Sequence, residues 1–300
     1  MSDYRMDHGH YAWSALPTRR PLRWPNGARI AVAFVVSLGH YEADPPAGTY
    51  DPPTFKPPLR SMPYPDYPTV THREYGHRVG IFRMLDAFDA HGVRATVAID
   101  ALTAQRYPRL VAECRRRDWD IIGHGVSQRR ALTDAMSETD ERAYVRESLD
   151  AVTKAAGRAP VGWLSPEHSE SRRTPTILAE AGLSYLADWA NDDQPYLIGP
   201  EGRTMVSIPC MRELSDAHMH ATRKIAMPQW ATLVHEAFDI LHGEGADSGR
   251  LFALPLHPWC IGQPHRIVYL ERLLAHIKAH EGVWWATGAE IATSYREQVA

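Results

Sequence analysis

The chain alternates along most of its length between short apolar segments and longer segments with helical periodicity. The run RIAVAFVVS, from Arg29, is rich in β-branched residues and predicts a strand buried on both faces of a parallel sheet. The other strand-like segments are RATVAID, DIIGHG, VGWLSPE, SYLADW, TMVSIPC, RLFALPLHP and VWWATG. Seven or eight βα units favour a parallel sheet closed into a barrel over an open, doubly wound sheet.

The intervening segments predict helices and also divide the chain. The predicted helices cover 72–91, 101–117, 137–156, 174–181, 229–242, 266–280 and the C-terminal segment, with Ser137 as an N-cap and with Gly92 and Gly157 as stop signals. Residues 1–28 are expected to form an N-terminal arm, and 29–300 a single domain. Within it, 39–71 is a proline-rich loop, long enough to act as a lid or as a subunit contact.

Composition excludes several classes of protein. A formal net charge of −3 lacks the basic excess that nucleic-acid binding needs. No apolar run reaches the roughly 18 residues of a membrane span, and the N-terminus lacks the apolar core of a signal peptide, so we expect a cytoplasmic protein without a membrane partner. Three widely separated cysteines indicate neither a disulfide framework nor a cysteine zinc site.

Polar and titratable residues follow most of the predicted strands. In βα barrels the active site forms at the C-terminal ends of the strands, so these residues are the candidates for chemistry on a small molecule. In chain order they are Ser37, His40, Glu42, Asp100, His124, Gln128, Glu167, His168, Asp188, Trp189, Asp192, Asp193, Glu213, Asp216, His257 and His265. Their convergence at one end of the sheet predicts an enzyme.

Each candidate has a structural alternative. His124 stands between two glycines and His257 beside a proline, where a site role outweighs a core role. The doublet Asp192 and Asp193 could only cap a turn, and Glu42 could be an exposed loop charge. Of the sixteen histidines, His276 and His280 lie on one face of a predicted helix and are assigned no chemistry.

The sequence resembles the polysaccharide deacetylase superfamily, within it the allantoinase-like and cyclic-imide-hydrolase-like branch. The resemblance runs from about Trp24 to Tyr295 and is carried by WPNGARIAVAFV, SLGHYEADPP, REYGHRVGIFRMLDAFDAHGVRATVAID, GHG, GWLSPEHSES, TPTILAEAGLSYLADWANDDQPY, LHPWCIGQPHR and EGVWWATGAEI. It implies a distorted, TIM-barrel-like (β/α) barrel of about seven parallel strands and a homodimer or homotetramer. His124, His257 and the aspartates at 188, 192 and 193 carry over as site residues.

The positions that hold a divalent metal in the family's deacetylases depart from the pattern here. The matching residues are Ser37, His124 and Gln128, and the arginine of another family motif is replaced by Leu164 in LSPE. One imidazole, one hydroxyl and one amide make a weak zinc site. The departures match the allantoinase-like branch, whose members can lack the metal and open small cyclic amides. No cofactor is therefore expected; the alternative is one zinc ion held by His40, Glu42 and His124.

The expected function is hydrolysis of an amide, imide or ureide bond in a small substrate, cyclic or linear. Proton transfer is assigned to His257 or to Asp192 and Asp193, and His124 and Gln128 are expected to hold the carbonyl or the water. The substrate contacts are expected from His40, Glu42, Gln128, Glu167, Asp188, Trp189, Glu213 and His265. The alternatives are a metal-dependent deacetylase of N-acetylglucosamine polymers and a non-catalytic binding protein.

Overall fold

A computed structural model describes residues 7–46, 65–199 and 205–299. Its centre is a curled sheet in which β1 pairs with three other strands. The strands are β1 (Ile30–Leu38), β2 (Thr96–Ile99), β3 (Asp120–Gly123), β4 (Gly162–Trp163), β5 (Tyr185–Leu186), β6 (Tyr196–Ile198), β7 (Met205–Ser207), β8 (Arg250–Leu256) and β9 (Val283–Trp285). Each predicted strand segment therefore contains a strand, although several are only two or three residues long.

The strand order is β6-β7-β5-β4-β3-β2-β1-β8, and β9 pairs with β1 beside β2. All pairs are parallel except β6 with β7, an antiparallel hairpin that the sequence pattern did not reveal. β1 pairs with β8 along its length, while β9 pairs with its first half and β2 with its second. The expectation of a distorted, deacetylase-type (β/α) barrel is confirmed.

Main-chain hydrogen bonds bridge the opening between β8 and the far side of the curled sheet. The Leu251 N–H donates to the Asp193 carbonyl at 2.9 Å, and the Met211 N–H donates to the Ala253 carbonyl at 2.8 Å. The segment after β5 therefore runs back toward the start of β8 instead of staying at the strand ends.

Side chains alternate along β1 between two environments. Ile30, Val32, Phe34 and the next even-numbered residues pack in the large core between the sheet and the helices. Ala31, Ala33 and Val35 instead pack in the barrel interior with other small residues of β2 and β8. Because side chains alternate along a strand, the next odd-numbered residue of β1, Ser37, continues the inward series at the C-terminal end of the barrel.

The helices surround the sheet, and prolines and glycines set most of their ends. They are α1 (Tyr67–Tyr75), α2 (Ile81–His91), α3 (Ala101–Arg106), α4 (Pro108–Arg116), α5 (Glu138–Ala156), α6 (Thr174–Glu180), α7 (Met227–Glu244), α8 (Ile267–Lys278) and α9 (Gly288–Val299). The predicted caps of α5 are confirmed, since Ser137 Oγ accepts from the Asp140 N–H and Gly157 is left-handed. The helix predicted over 101–117 is interrupted, because Pro108 begins a new helix.

Two boundaries differ from the sequence prediction. Helix α1 begins at Tyr67, inside the predicted 39–71 loop, because Asp66 caps it and Pro68 suits its first turn. A π-helical turn at 76–80 joins α1 to α2. Most of the proline-rich loop lies outside the described residues. No helix within the described part of the chain is long and apolar enough to cross a membrane.

Candidate active site

A small pocket opens where the C-terminal ends of β1, β3, β4 and β8 meet. We call it the strand-end pocket; its volume is about 50 Å³. It is lined by Ser37, Tyr41, Arg73, His124, Gln128, Leu164, Ser165, Glu167, His168, Arg212, Ser215, Ala217, His218, Pro255, His257 and Trp259. Ligand pockets for drug-sized molecules are typically about 300–1,000 Å³, so this volume suits a small reacting group.

His124 lies directly after β3 and is fixed at both ring nitrogens. Its Nδ1 is 2.6 Å from the Leu164 carbonyl, and its Nε2 is 2.7 Å from Ser37 Oγ. A carbonyl oxygen can only accept, so Nδ1 carries the proton and the Ser37 hydroxyl donates to Nε2. Burial lowers the pKa of His124 to about 4, and the nearby His257 adds to the shift. At neutral pH His124 is therefore an uncharged acceptor for Ser37.

His257 follows β8 and is oriented by a buried carboxylate. Its Nδ1 donates to Asp216 Oδ1 at 2.8 Å, and its backbone N–H reaches the same carboxylate. Asp216 Oδ2 also accepts from the Ile261 N–H at 3.0 Å, and the Asp216 side chain has no exposed surface. The carboxylate thus fixes the proton on Nδ1 and leaves Nε2 as the ring nitrogen that can exchange a proton with a substrate.

Basic side chains outnumber acidic ones in the lining of the strand-end pocket. Arg73 reaches in from α1 and is almost fully buried, with its guanidinium carbon 3.4 Å from the centroid of the Trp259 ring and 5.1 Å from that of Tyr41. Arg212 adds a second guanidinium, whereas Glu167 is the carboxylate among the lining residues. Such a field favours negative charge on a carbonyl oxygen as it is attacked.

The backbone is strained at two residues that line the pocket. Glu167 and His168 both have a left-handed backbone, with φ of 54° and 56°, which is costly for residues other than glycine. Burial lowers the pKa of His168 to about 3, and the nearby Arg212 contributes to this shift.

Glu170 and Asp188 form a carboxyl pair beside the pocket. Burial raises the pKa of Glu170, next to the buried carboxylate of Asp188, so this pair retains a proton. Asp188 Oδ1 accepts from the Ser165 N–H at 2.7 Å and thereby positions the pocket wall.

His40 and Glu42 lie near the pocket but do not line it within the described residues. His40 Nε2 is 3.2 Å from Arg106, and burial lowers the pKa of His40 to about 4. The Glu42 carboxylate accepts from Arg130 at 2.6 Å and from Ser127 at 2.5 Å. The alternative zinc site of His40, Glu42 and His124 is not formed, because the ligand atoms of these three described residues are engaged with different neighbours and do not form a cluster.

The residues that match the family's metal positions do not fit a divalent ion either. His124 Nε2 accepts from Ser37, and Gln128 Nε2 donates to Asp100 at 3.3 Å. Zinc takes three nitrogen, sulfur or carboxylate ligands from protein, whereas this set offers one imidazole with a hydroxyl and an amide.

Asp192 and Asp193 are not at the strand ends, so the prediction that they transfer protons in the site is wrong. The Asp193 carbonyl binds the Leu251 N–H at the start of β8, six residues before His257. At about 3.3 Å per residue, these two points of β8 are about 20 Å apart. Asp192 accepts from Arg19 at 2.6 Å and lines a separate cavity of about 780 Å³ beside the N-terminal arm. Asp192 thereby links the N-terminal arm to the barrel.

Three predicted substrate contacts also lie outside the strand-end pocket. Trp189 packs its ring against Tyr11 and Tyr196. Glu213 and His265 are exposed at the surface and are not among the lining residues. Each of these three residues follows a strand in sequence, but the loops direct their side chains away from the strand-end pocket. Asp188 is close by and buried, where it supports the wall through Ser165.

Sequence reasoning missed several residues that the fold brings to the site. Arg73 comes from a helix rather than a strand end, and Trp259 and Tyr41 enclose it. Ser37 and Asp216 are predicted as strand-end residues, but the sequence gives no partner for either, and the structure pairs them with His124 and His257. The alternation of small residues along β1 was the signal that could have placed Ser37 inside the barrel.

Comparison with known proteins agrees with this architecture. The profile of the polysaccharide deacetylase family matches residues 74–186. A Schizosaccharomyces pombe protein that is provisionally named a polysaccharide deacetylase is 27% identical over 297 residues, covering 91% of this chain and 92% of that protein.

Two crystal structures are similar over nearly the whole chain. One is a Pseudomonas aeruginosa PAO1 protein with the same provisional name, with 26% identity and a TM-score of 0.83, covering 93% of this chain and 95% of that one. The other is PuuE allantoinase, with 26% identity, a TM-score of 0.82 and the same coverage.

Proposed function

We propose that this chain, which is similar to the polysaccharide deacetylase family and to PuuE allantoinase, hydrolyses an amide, imide or ureide bond in a small substrate, cyclic or linear. The observation that supports this most strongly is the His257–Asp216 pair at the strand-end pocket. It provides an oriented imidazole base without a metal. The similarity to PuuE allantoinase supports a small cyclic ureide as the first substrate to test.

In the proposed reaction His257 acts as the general base. Its Nε2 takes a proton from a water molecule, and the resulting hydroxide attacks the carbonyl carbon of the substrate. The developing oxyanion is stabilised by the guanidinium groups of Arg73 and Arg212, which line the pocket. The protonated His257 then donates to the departing nitrogen, which completes the hydrolysis.

Ser37 and His124 position the reacting groups in this proposal. The Ser37 hydroxyl donates to His124 Nε2, so the oxygen presents its lone pairs to the pocket. Those lone pairs accept a hydrogen bond from the attacking water or from the N–H of the substrate. The low pKa of His124 keeps the imidazole neutral, so that it continues to accept from Ser37 at neutral pH.

A second candidate function is removal of an acetyl group from an N-acetyl sugar. It is favoured by a similarity, 22% identity over 254 residues, to a Helicobacter pylori protein named peptidoglycan deacetylase. The bond is again an amide, so the same base would serve. Sequence similarity supports the acetyl sugar, whereas the poor set of metal ligands supports the cyclic substrate. A cytoplasmic location and a homodimer or homotetramer stay predictions, and light scattering tests the second.

The test incubates purified protein with allantoin, hydantoin, succinimide or chitobiose and monitors the substrate by NMR. The assay is run with protein before and after treatment with a chelator. We expect a cyclic compound to be opened with and without the chelator, and His257→Gln to abolish turnover. The matched control is Asp193→Asn, a carboxylate at the far end of β8. Turnover of chitobiose alone would support the second candidate, and binding without turnover of any compound would contradict hydrolysis.

A further inference from the structure

A second cluster of ligand-type side chains lies outside the strand-end pocket, between α7 and α8. It consists of Asp239 on α7 and of His276 and His280 at the end of α8, and we call it the α7–α8 cluster. Within the described residues, these three offer ligand atoms that all lie within 4.8 Å of one another. The histidines are four residues apart in sequence, with His276 in the last turn of α8 and His280 just beyond its end.

The distances within the cluster are close to those of a metal site. His276 Nε2 is 2.6 Å from Asp239 Oδ1, and His280 Nε2 is 3.8 Å from the same atom. A tetrahedral zinc ion holds its ligands at about 2.0–2.2 Å, which places neighbouring ligand atoms roughly 3.3–3.6 Å apart. The two measured separations bracket that value, so small side-chain rotations would be enough to admit the ion.

The tautomer of His280 is already the one that a metal requires. Its Nδ1 donates to the backbone carbonyl of His276 at 2.9 Å, so the lone pair is on Nε2, which faces Asp239. Metal-binding histidines commonly use their second nitrogen in this way. His235 stacks on the His276 ring at 4.5 Å between centroids and restricts its orientation.

We propose that the α7–α8 cluster is a binding site for one divalent transition metal ion of the zinc type, with the Nε2 atoms of His276 and His280 and one carboxylate oxygen of Asp239 as ligands. Water completes the tetrahedron, since the three side chains are partly accessible, with 28–49% of each exposed. On binding, the His276 ring moves its proton from Nε2 to Nδ1 by exchange with solvent, so that Nε2 presents its lone pair to the ion. The bound ion links α7 to α8.

The site has a consequence for any measurement of metal in this protein. Zinc found in a stoichiometric analysis would belong to the α7–α8 cluster and not to the strand-end pocket. Chelation would remove that ion without removing activity. The proposal does not depend on the proposed function, because the two sites share no residues.

The test is titration of the metal-free protein with zinc chloride, monitored by calorimetry, and with cobalt chloride, monitored by visible absorption. We expect one ion per chain and the d–d bands of tetrahedral cobalt. His276→Gln and His280→Gln should each weaken binding by about tenfold or more, as expected for loss of a ligand. The matched control is His257→Gln in the strand-end pocket, which should bind as the unmodified chain does.

Circular dichroism identifies any variant that fails to fold, and His280 lies beyond the last residue of α8, so its replacement leaves the helix intact. Binding that survives both His276→Gln and His280→Gln would overturn the proposal, as would the absence of binding at micromolar zinc. Loss of binding in His257→Gln alone would place the ion in the strand-end pocket and would overturn it too.

Discussion

Replacement of Asp216 by Asn tests the proposed base most directly. Asp216 Oδ2 accepts from the backbone N–H of Ile261, and the backbone N–H of His257 reaches both carboxylate oxygens. Oδ1 is the atom that accepts from His257 Nδ1. In Asp216→Asn the amide oxygen keeps the place of Oδ2, because both backbone groups need an acceptor. The amide NH₂ then faces Nδ1 and donates to it, which moves the imidazole proton to Nε2.

With a proton on Nε2, His257 can no longer accept one from water. General-base catalysis contributes about 10²–10⁴-fold to a rate, so we expect kcat to fall by that factor, which corresponds to about 3–5 kcal/mol in the barrier. The fold should survive, since Asn retains the acceptor for the backbone. Turnover measures the loss, and nitrogen NMR of labelled histidine reports the change of tautomer. Asp193→Asn is the control.

Two results would refute this reasoning. A variant with the tautomer reversed and kcat within about threefold of the unmodified chain would show that His257 is not the base. A variant with the tautomer unchanged but with little activity would show that the Asp216 charge, rather than the position of the proton, is what matters.

Three other predictions concern the site and its support. Ser37→Ala should lower kcat by about tenfold, because the change removes an orienting hydrogen bond but leaves the base in place. A loss above about 10³-fold, together with an acyl adduct detected by mass spectrometry in the unmodified chain, would instead identify Ser37 as a nucleophile. The free energy of unfolding should fall between pH 6.5 and about 4, because His124 in the unfolded chain takes up a proton near its ordinary pKa of 6.5, while the folded residue stays neutral down to its pKa of about 4. The expected loss from this residue is about 3 kcal/mol. Thermal melting temperatures that stay constant over this pH range would contradict the prediction. Gly39→Ala should lower the free energy of unfolding, measured by denaturant titration, by about 1–3 kcal/mol, because a Cβ at this position would lie 2.2 Å from Gln128 Nε2. Gly243→Ala should be neutral or stabilising in the same titration, because this residue is helical and a Cβ would have no neighbour within 4 Å.

The side-chain period of a strand explains why the two central histidines could be found from the sequence. Ala31, Ala33 and Val35 alternate into the barrel and bring Ser37 to its mouth. The same count along β8 leads from Leu251 and Ala253 to His257, and along β3 from Ile122 to His124. A residue that continues an inward series one step past the strand end must therefore face the pocket.

The aspartates after β5 could not be placed in this way. β5 has only two residues, so the pattern gives no direction for the chain beyond it. Asp192 and Asp193 belong to a segment that crosses the opening of the curled sheet and binds β8 near its start. That path depends on hydrogen bonds between segments about 60 residues apart, which local periodicity cannot reveal.

The partners of the two histidines come from the parts of the chain that the strand pattern does not describe. Asp216 lies in the connection after β7, and Arg73 on a helix after the proline-rich loop. Each reaches the pocket only because the barrel curls. The partners also decide the chemistry, since a serine beside His124 Nε2 uses the lone pair that a metal ion would need, while a buried carboxylate beside His257 Nδ1 leaves the opposite nitrogen available as a base. In the proposed reaction the two imidazoles at one barrel mouth therefore have different tasks, which the residues at positions 37 and 216 determine.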